Sequence, residues 1–302
     1  MISLMRKLRR GVLAALLAAT VAVTSLPAEA TAQPDLQQLS SQGASQAEGI
    51  AKSLSQSGLG FRAVNVDGMI RPYTLVLPRN YNPMRAYPVI IGFGGWKHDA
   101  GATRSYQQLE RAAGDRAIVV YPQGMGDAWG GSPYAHTSMG SDIRFVHAVV
   151  DNVGSMHKID RKRIYAAGLS NGGGMAAALA CHAPDLVAGV ASVAGAYYNP
   201  TVTNCAPGTV PTLIMHADND GVVSFDGGVR HGAPYRSVPS VFADFGRRNG
   251  CDMKKVGTHQ YGNVTVSAPA GCVARTEMRK IRGGGHAWFP GATDQAVKFF
   301  LG

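Results

Sequence analysis

The sequence predicts an α/β fold: a mostly parallel, doubly wound sheet with helices on both faces. Short apolar runs such as YPVIIGFGG and AIVVYPQG alternate along the chain with amphipathic helical patterns. Such alternation is typical of βαβ units. The apolar runs are also unbroken, which suits strands covered on both sides. No internal repeat is visible, and we expect one domain at 61–302.

The predicted elements follow in order from residue 61. The segment FRAVNVDGMIRPYTLVLP predicts a hairpin around Asp67-Gly68. Further strands are expected at YPVIIGFGG, AIVVYPQG, RIYAAG, VAGVASVAG and VPTLIMHAD, and helices at ATRSYQQLERAAGD, SDIRFVHAVVDNVGSMH, NGGGMAAALACHAPD and ATDQAVKFFLG. In the second helix we expect Ser141 as the N-cap, and Ile143, Val146, Val149 and Val150 on the apolar face.

The N-terminus indicates export. Residues 1–30 combine a basic start, an apolar run and a small-residue exit, Ala28-Glu29-Ala30, which together predict a secretory signal peptide. A membrane anchor is the alternative, disfavoured because the run is short and rich in alanine. Residues 31–60, rich in Gln, Ser, Ala and Gly, are expected to form a flexible lead-in. The mature protein is expected to be secreted or periplasmic, without a membrane contact.

Cysteine content and charge narrow the class further. Four cysteines allow three disulfide pairings, of which we favour Cys181–Cys205 and Cys251–Cys272. None has the spacing of a zinc site, and we expect neither metal nor cofactor. The formal net charge is +10, and +7 remains without residues 1–30. This charge suggests an anionic partner, but no nucleic-acid-binding motif accompanies it.

A serine between two glycines carries the first chemical signal. Gly168-Leu169-Ser170-Asn171-Gly172 lies where a predicted strand must turn sharply into a helix. Glycines two before and two after remove the clashes of such a turn, which then presents the Ser170 hydroxyl. This G-x-S-x-G arrangement is that of the nucleophile in α/β-hydrolases. A purely structural glycine turn is the alternative.

A base and an acid follow the serine in the chain order of that fold. Asp218 and Asp220 come directly after the strand VPTLIMHAD, and His286 lies in a glycine-rich loop before the last helix. A serine hydroxyl needs a base, which in turn needs an orienting carboxylate. The residues alone leave Asp218 and Asp220 both open as the acid.

Stabilisation of an oxyanion requires two N–H groups. The first is the backbone N–H of Asn171, at the first turn of the helix. The second is expected from the loop after YPVIIGF, where Gly95 and Trp96 are both candidates.

The chain resembles the secreted α/β-hydrolase esterases that include polyhydroxybutyrate depolymerases and feruloyl and acetylxylan esterases. The resemblance spans 61–302 and rests on segments such as GLSNGGGMAAALAC, MHADNDGVVSFDGG and GGGHAW. It implies Asp220 rather than Asp218 as the acid, and it supports both disulfide pairs. One departure is Phe93-Gly94, where the family usually has His-Gly.

Basic residues and tryptophans beside these motifs bear on the substrate. Poly(aspartic acid) hydrolases resemble the same family, and Lys97 and Arg144 flank motifs expected at the cleft, as do His98, Arg230, His231 and Arg236. Trp96, Trp129 and Trp288 each lie beside a motif and could contact a polymer or an aromatic acyl group. Ordinary surface charge and core packing are the alternatives.

We therefore expect a serine hydrolase that cleaves ester or amide bonds of an extracellular polymer, either polyhydroxybutyrate or an anionic chain such as poly(aspartic acid). A feruloyl or acetylxylan carboxylesterase is the nearest alternative. A catalytically silent protein that binds polyanions is the alternative from another class.

Overall fold

A computed structural model describes residues 59–302. The predicted signal peptide and nearly all of the predicted lead-in lie outside this range. Leu59 and Gly60, which the prediction placed in the lead-in, belong to the first strand.

One sheet of ten strands organises this part of the chain. The strands are β1 (Leu59–Val66), β2 (Met69–Val76), β3 (Tyr87–Phe93), β4 (Ile118–Pro122), β5 (Ile159–Leu169), β6 (Gly189–Val193), β7 (Thr212–Ala217), β10 (Asp252–Tyr261), β11 (Val264–Ala270) and β12 (Thr276–Ile281). A separate hairpin is formed by β8 (Gly228–Arg230) and β9 (Ala233–Tyr235).

The sheet order β1-β2-β4-β3-β5-β6-β7-β12-β11-β10 confirms the mostly parallel, doubly wound prediction. Strands β4, β3, β5, β6, β7 and β12 run parallel, and antiparallel strands extend both edges. From β3 the chain moves to β4 on one side and then to β5 on the other. Ligands of open α/β sheets bind at such a switch point, outside the carboxyl ends of the strands.

Within residues 59–302, six helices cover the two faces of the sheet: α1 (Ala100–Gln107), α2 (Leu109–Ala113), α3 (Met139–Met156), α4 (Asn171–His182), α5 (Val238–Arg248) and α6 (Ala292–Leu301). Buried side chains of α3, α4 and α5 share one apolar cluster with alternate residues of the sheet, including Val89 and Ile91. Those of α1, α2 and α6 share a second cluster with the residues between, such as Ile90. Burial on both faces explains the unbroken apolar strands.

Two local predictions needed correction. The α3 helix begins at Met139 rather than after Ser141, because Ser138 is the N-cap and its side chain accepts a hydrogen bond from the Ser141 N–H. The predicted helix at ATRSYQQLERAAGD is two helices, since Gln108 adopts a left-handed conformation with φ 44° between them. The hairpin around Asp67-Gly68 is confirmed, with positive φ at both residues.

Both favoured disulfides, Cys181–Cys205 and Cys251–Cys272, are present. The first ties the end of α4 to the segment that follows β6, and the second joins the start of β10 to the turn after β11. In residues 59–302, no helix is both long and apolar enough to cross a bilayer.

Candidate active site

Ser170 lies at the carboxyl end of β5, on the turn that enters α4. Its backbone has φ 55° and ψ −117°, a conformation rare for residues with a side chain. Three backbone hydrogen bonds hold it: its N–H donates to the Val193 carbonyl, and its carbonyl accepts from Ala196 and Gly174, all at 2.8–2.9 Å. The strain is thus compensated by β6 and by the helix.

The glycines around Ser170 are required by close backbone contacts. A Cβ at Gly168 would lie 2.0 Å from the Gly172 carbonyl oxygen. A Cβ at Gly172 would lie 2.4 Å from the carbonyl oxygen of Gly94, in the loop after β3. Neither position can carry a side chain without moving backbone. The turn that presents Ser170 therefore packs directly on the loop expected to stabilise the oxyanion.

His286 and Asp220 meet at the same edge of the sheet. The loops after β12 and β7 bring them together, and His286 Nδ1 lies 2.7 Å from Asp220 Oδ2. Burial by itself raises the pKa of Asp220. Hydrogen bonds from His216, His286 and the Val223 N–H outweigh burial, and the net pKa lies well below its usual range. Because the ionised carboxylate can only accept, Nδ1 of His286 carries the hydrogen and Nε2 of the neutral ring remains an acceptor.

Three consecutive residues after β7 bind the loop that carries His286. Asp218 Oδ1 accepts from the Gly283 N–H at 3.0 Å, and Asn219 Oδ1 accepts from the Gly285 N–H at 2.8 Å. Only the third, Asp220, contacts the imidazole of His286. The two carboxylates that the residue pattern left open thus have different partners.

A second histidine, His216, supports Asp220 from beneath. It is fully buried in β7, and its Nε2 lies 2.8 Å from the Val223 carbonyl oxygen and 3.2 Å from Asp220 Oδ2. The carbonyl can only accept, so Nε2 carries the hydrogen. Asp220 Oδ1 in turn accepts from the N–H groups of Val222 and Val223. Both carboxylate oxygens of Asp220 therefore have partners besides His286.

Ser170 and His286 share the sheet edge because β5, β6, β7 and β12 are consecutive parallel neighbours. Within residues 59–302 no hydrogen bond joins their side chains.

In the same range, no cluster of three His, Cys, Asp or Glu side chains is arranged to hold a metal ion.

The candidate oxyanion donors lie on either side of the Gly172–Gly94 contact. A Cβ at Gly95 would be 3.5 Å from Ser170 Cβ, so this residue borders the nucleophile. The Gly95 N–H donates to Tyr106 Oη over a long 3.3 Å. Beyond Trp96, the N–H groups of Lys97 and His98 donate to the carbonyls of Asp127 and Gly95.

Trp129 connects the loop after β3 to the start of α4. Its indole Nε1 donates to the Gly94 carbonyl at 3.0 Å. Its backbone N–H donates to Asn171 Oδ1 at 2.7 Å, and its carbonyl accepts from Asn171 Nδ2 at 3.1 Å. The ring is only 2% exposed and packs edge-on against Phe93. Trp129 therefore holds the loop after β3 and the turn at Ser170 together, and its burial favours the core-packing alternative over the predicted substrate contact.

A buried ion pair anchors the loop that begins at Trp129. Arg71 in β2 donates to Asp142 at 2.8 Å, and both side chains are fully buried. Asp142 also accepts from the Gly130 N–H at 2.6 Å and from Thr137 Oγ1. The carboxylate at the start of α3 thus holds the residue next to Trp129.

The other predicted substrate contacts lie in different surroundings. Lys97 has φ 68° and places Nζ 4.5 Å from the centre of the Trp96 ring. Trp288 is half-buried and donates to Thr293 Oγ1. Arg144 is exposed and pairs with Asp67 at 2.7 Å in the β1–β2 turn, which offsets its charge.

Sequence reasoning did not find the aromatic cluster that surrounds Trp96. Its ring stacks on Tyr134 with centroids 4.3 Å apart, and His231 at the tip of the β8–β9 hairpin packs edge-on against both. Tyr198 extends the cluster from the segment after β6. Three loops and a hairpin contribute one ring each, so no local pattern could have identified the group.

Comparison with known proteins supports the fold and family. The Esterase family model matches residues 69–224. Feruloyl esterase C of Emericella nidulans is 30% identical over 64% of this chain and 67% of its own length. Feruloyl esterase B of Piromyces equi is 28% identical over 72% of this chain, which spans only 42% of that longer protein.

Solved structures agree on the architecture. An acetyl xylan esterase from Aspergillus awamori superposes with a TM-score of 0.64 over 80% of this chain and 98% of its own, at 14% identity. A ferulic acid esterase from Anaeromyces mucronatus, solved with ferulic acid, gives a TM-score of 0.52 over 80% of this chain and 89% of its own, at 15% identity. With the family model matching more than half of its length, the chain belongs to the Esterase family and has the α/β-hydrolase fold.

Proposed function

We propose that this carboxylic ester hydrolase is an exported serine enzyme whose triad is Ser170, His286 and Asp220. The observation that carries the proposal is the 2.7 Å hydrogen bond between His286 Nδ1 and a buried, doubly held Asp220, at the sheet edge where Ser170 lies on a strained turn. Two disulfides and the signal-like residues 1–30 support an oxidising, extracytoplasmic location.

In the proposed reaction, Ser170 Oγ attacks the ester carbonyl carbon while His286 Nε2 takes the hydroxyl proton. Asp220 stabilises the imidazolium and keeps its ring oriented. The tetrahedral intermediate collapses, the C–O bond to the alcohol breaks, and His286 returns the proton to the leaving oxygen. Water then attacks the acyl-enzyme by the same route and releases the acid.

The oxyanion is stabilised by the Asn171 N–H, at the positive end of α4, and by an N–H of the loop after β3. Gly95 borders Ser170, and exchange of its long bond to Tyr106 for one to the oxyanion would make its N–H available. Trp96 is the other candidate. Trp129 contacts both Asn171 and Gly94, so we assign it a positioning role.

The substrate is proposed to be an ester carried by an extracellular polymer. The aromatic cluster around Trp96 and the feruloyl and acetylxylan esterase relatives support an acyl-decorated polysaccharide or a polyester such as polyhydroxybutyrate. A second candidate, an anionic polymer such as poly(aspartic acid), is favoured by the charge of Lys97, which rests on Trp96 without a carboxylate partner in residues 59–302. Arg144 and Arg236 contribute less, since Asp67 and Asp244 offset their charges.

Fluorophosphonate labelling tests the nucleophile. The fluorophosphonate is expected to modify Ser170 in the folded protein, as read from the mass of the peptide that contains it. Absence of labelling would contradict the enzyme mechanism and favour a silent polyanion-binding protein.

Two carboxylate variants test the acid. Asp220→Asn should lower kcat/KM for a p-nitrophenyl ester by about 10⁴-fold, because it removes the charge that orients and stabilises the imidazolium. Asp218→Asn is the matched control: it alters the contact to Gly283 only, and a loss of about tenfold or less is expected. Equal losses in the two variants would refute the assignment.

Trp129→Phe tests the clamp beneath the oxyanion donors. The variant keeps an aromatic ring against Phe93 but loses the indole bond to Gly94. We expect kcat to fall by about ten- to a hundredfold, with KM changed by less than about twofold, because the oxyanion forms only after substrate binds. Tyr73→Phe, which loses a partly buried hydrogen bond to Asn152 remote from the site, should leave kcat near that of the native protein. A similar fall in kcat for this control would show that lost stability alone explains the effect.

The two substrate classes are separated by salt and by Lys97. Methyl ferulate, acetylated xylan, a hydroxybutyrate oligomer and poly(aspartic acid) are compared at low salt and at about 0.5 M salt. If the anionic polymer is a substrate, its hydrolysis should fall steeply with salt and in Lys97→Gln. Lys162→Gln, an equal charge change in the amino-terminal half of β5, should have no effect. Salt-independent activity on the neutral esters alone would exclude the anionic polymer.

A further inference from the structure

We propose that a cavity beside the Cys181–Cys205 disulfide binds a small organic carboxylate with an apolar body, at a site separate from Ser170. The cavity has a volume of about 400 Å³ and lies between residues 202–205 and one face of α5. This volume is within the range of small-molecule sites in proteins.

The apolar part of the lining comes from Val202, Val241 and Phe245. Val241 and Phe245 are four residues apart, so they lie on the same face of α5. This face continues to Arg248, which also lines the cavity. An apolar surface therefore ends at a guanidinium group.

Most of the charges at the cavity are already paired. Asp244 pairs with both Arg236 and Arg247, so its charge is more than offset. Arg236 gives its other terminal nitrogen to the Val202 carbonyl at 3.4 Å. Neither Asp244 nor Arg236 leaves much capacity for a further ion.

Arg248 is the cation that remains. Its Nη2 donates to the Ala206 carbonyl, and no carboxylate among residues 59–302 pairs with the guanidinium. Burial lowers the pKa of this guanidinium. A carboxylate oxygen is the acceptor that guanidinium geometry matches best, so an unpaired guanidinium in the wall of the cavity favours a carboxylate ligand. The apolar walls require that the rest of the ligand be hydrophobic.

The cavity and Ser170 contact opposite ends of the segment 196–205. The Ala196 N–H, at the start of this segment, donates to the Ser170 carbonyl. Val202 to Cys205, at its end, line the cavity, and none of the lining residues belongs to the proposed triad or to the loop after β3. The cavity is therefore separate from the proposed active site, and a label on Ser170 is not expected to fill it.

The test is a calorimetric titration of the full chain with benzoate, after a bulky fluorophosphonate has blocked the cleft. Benzamide, which is similar in shape but uncharged, is the comparison ligand. We expect saturable binding of benzoate at one site, and binding of benzamide at least about tenfold weaker. Should Ser170 resist the label, the proposed mechanism fails, but the same titration on unlabelled protein still tests the cavity through its variants.

Arg248→Gln should weaken benzoate binding by about tenfold or more, because it removes the charged donor. Lys255→Gln, an equal charge change on β10 away from the cavity, should not alter the dissociation constant. Thr203→Trp should abolish binding by filling the cavity while Arg248 is retained, and an unchanged Tm would show that this variant folds. Absence of saturable binding, equal affinity for benzamide, or unchanged affinity in both Arg248→Gln and Thr203→Trp would overturn the proposal.

Discussion

The close contact between the turn at Ser170 and the loop after β3 is the constraint on which the rest of the site depends. The backbones of Gly172 and Gly94 are so close that a Cβ at Gly172 would lie 2.4 Å from the Gly94 carbonyl oxygen. Strands β5 and β3 must therefore end side by side at the same edge of the sheet. The Ser170 backbone then takes a positive φ to continue into α4. Hydrogen bonds to β6 and α4 offset the cost of that conformation, by which the turn presents the Ser170 hydroxyl that the proposed mechanism uses. Trp129 stabilises this contact because it donates hydrogen bonds both to the Gly94 carbonyl and to Asn171 Oδ1.

The opposite side of the site is organised by the order in which the strands pair. Because β12 pairs with β7, the loop that carries His286 falls next to the loop after β7. Asp218 and Asn219 bind the backbone of the His286 loop, and Asp220 binds the imidazole itself. The carboxylate has further partners in His216 and two backbone N–H groups. Both halves of the candidate site are thus held by contacts within the protein, as the proposed mechanism requires of a site that stabilises a transition state.

Much of this arrangement could be predicted from the sequence because the decisive signals are local. Unbroken apolar runs predict the central parallel strands, and glycines predict the turn at Ser170. The chain order of Ser170, Asp220 and His286 is the order that the fold requires of its three catalytic residues. Strands β10 to β12 were not anticipated; β10 in particular is largely exposed, and its polar sequence KKVGTHQY lacks an apolar stripe. The sequence could not decide between core packing and a substrate contact for Trp129, because burial depends on which loops converge, and that depends on sheet order rather than on neighbouring residues. The aromatic cluster around Trp96 escaped prediction for the same reason.

A crystal structure of the phosphonylated protein is the most direct test of the proposed triad and oxyanion donors. We expect phosphorus on Ser170 Oγ, with the phosphonyl oxygen within hydrogen-bonding distance of the Asn171 N–H and of the N–H of Gly95 or Trp96. We also expect that the imidazole of His286 faces the bound group while Nδ1 stays on Asp220. A phosphonyl oxygen turned away from both N–H groups, or a His286 ring directed away from the adduct, would contradict the proposal.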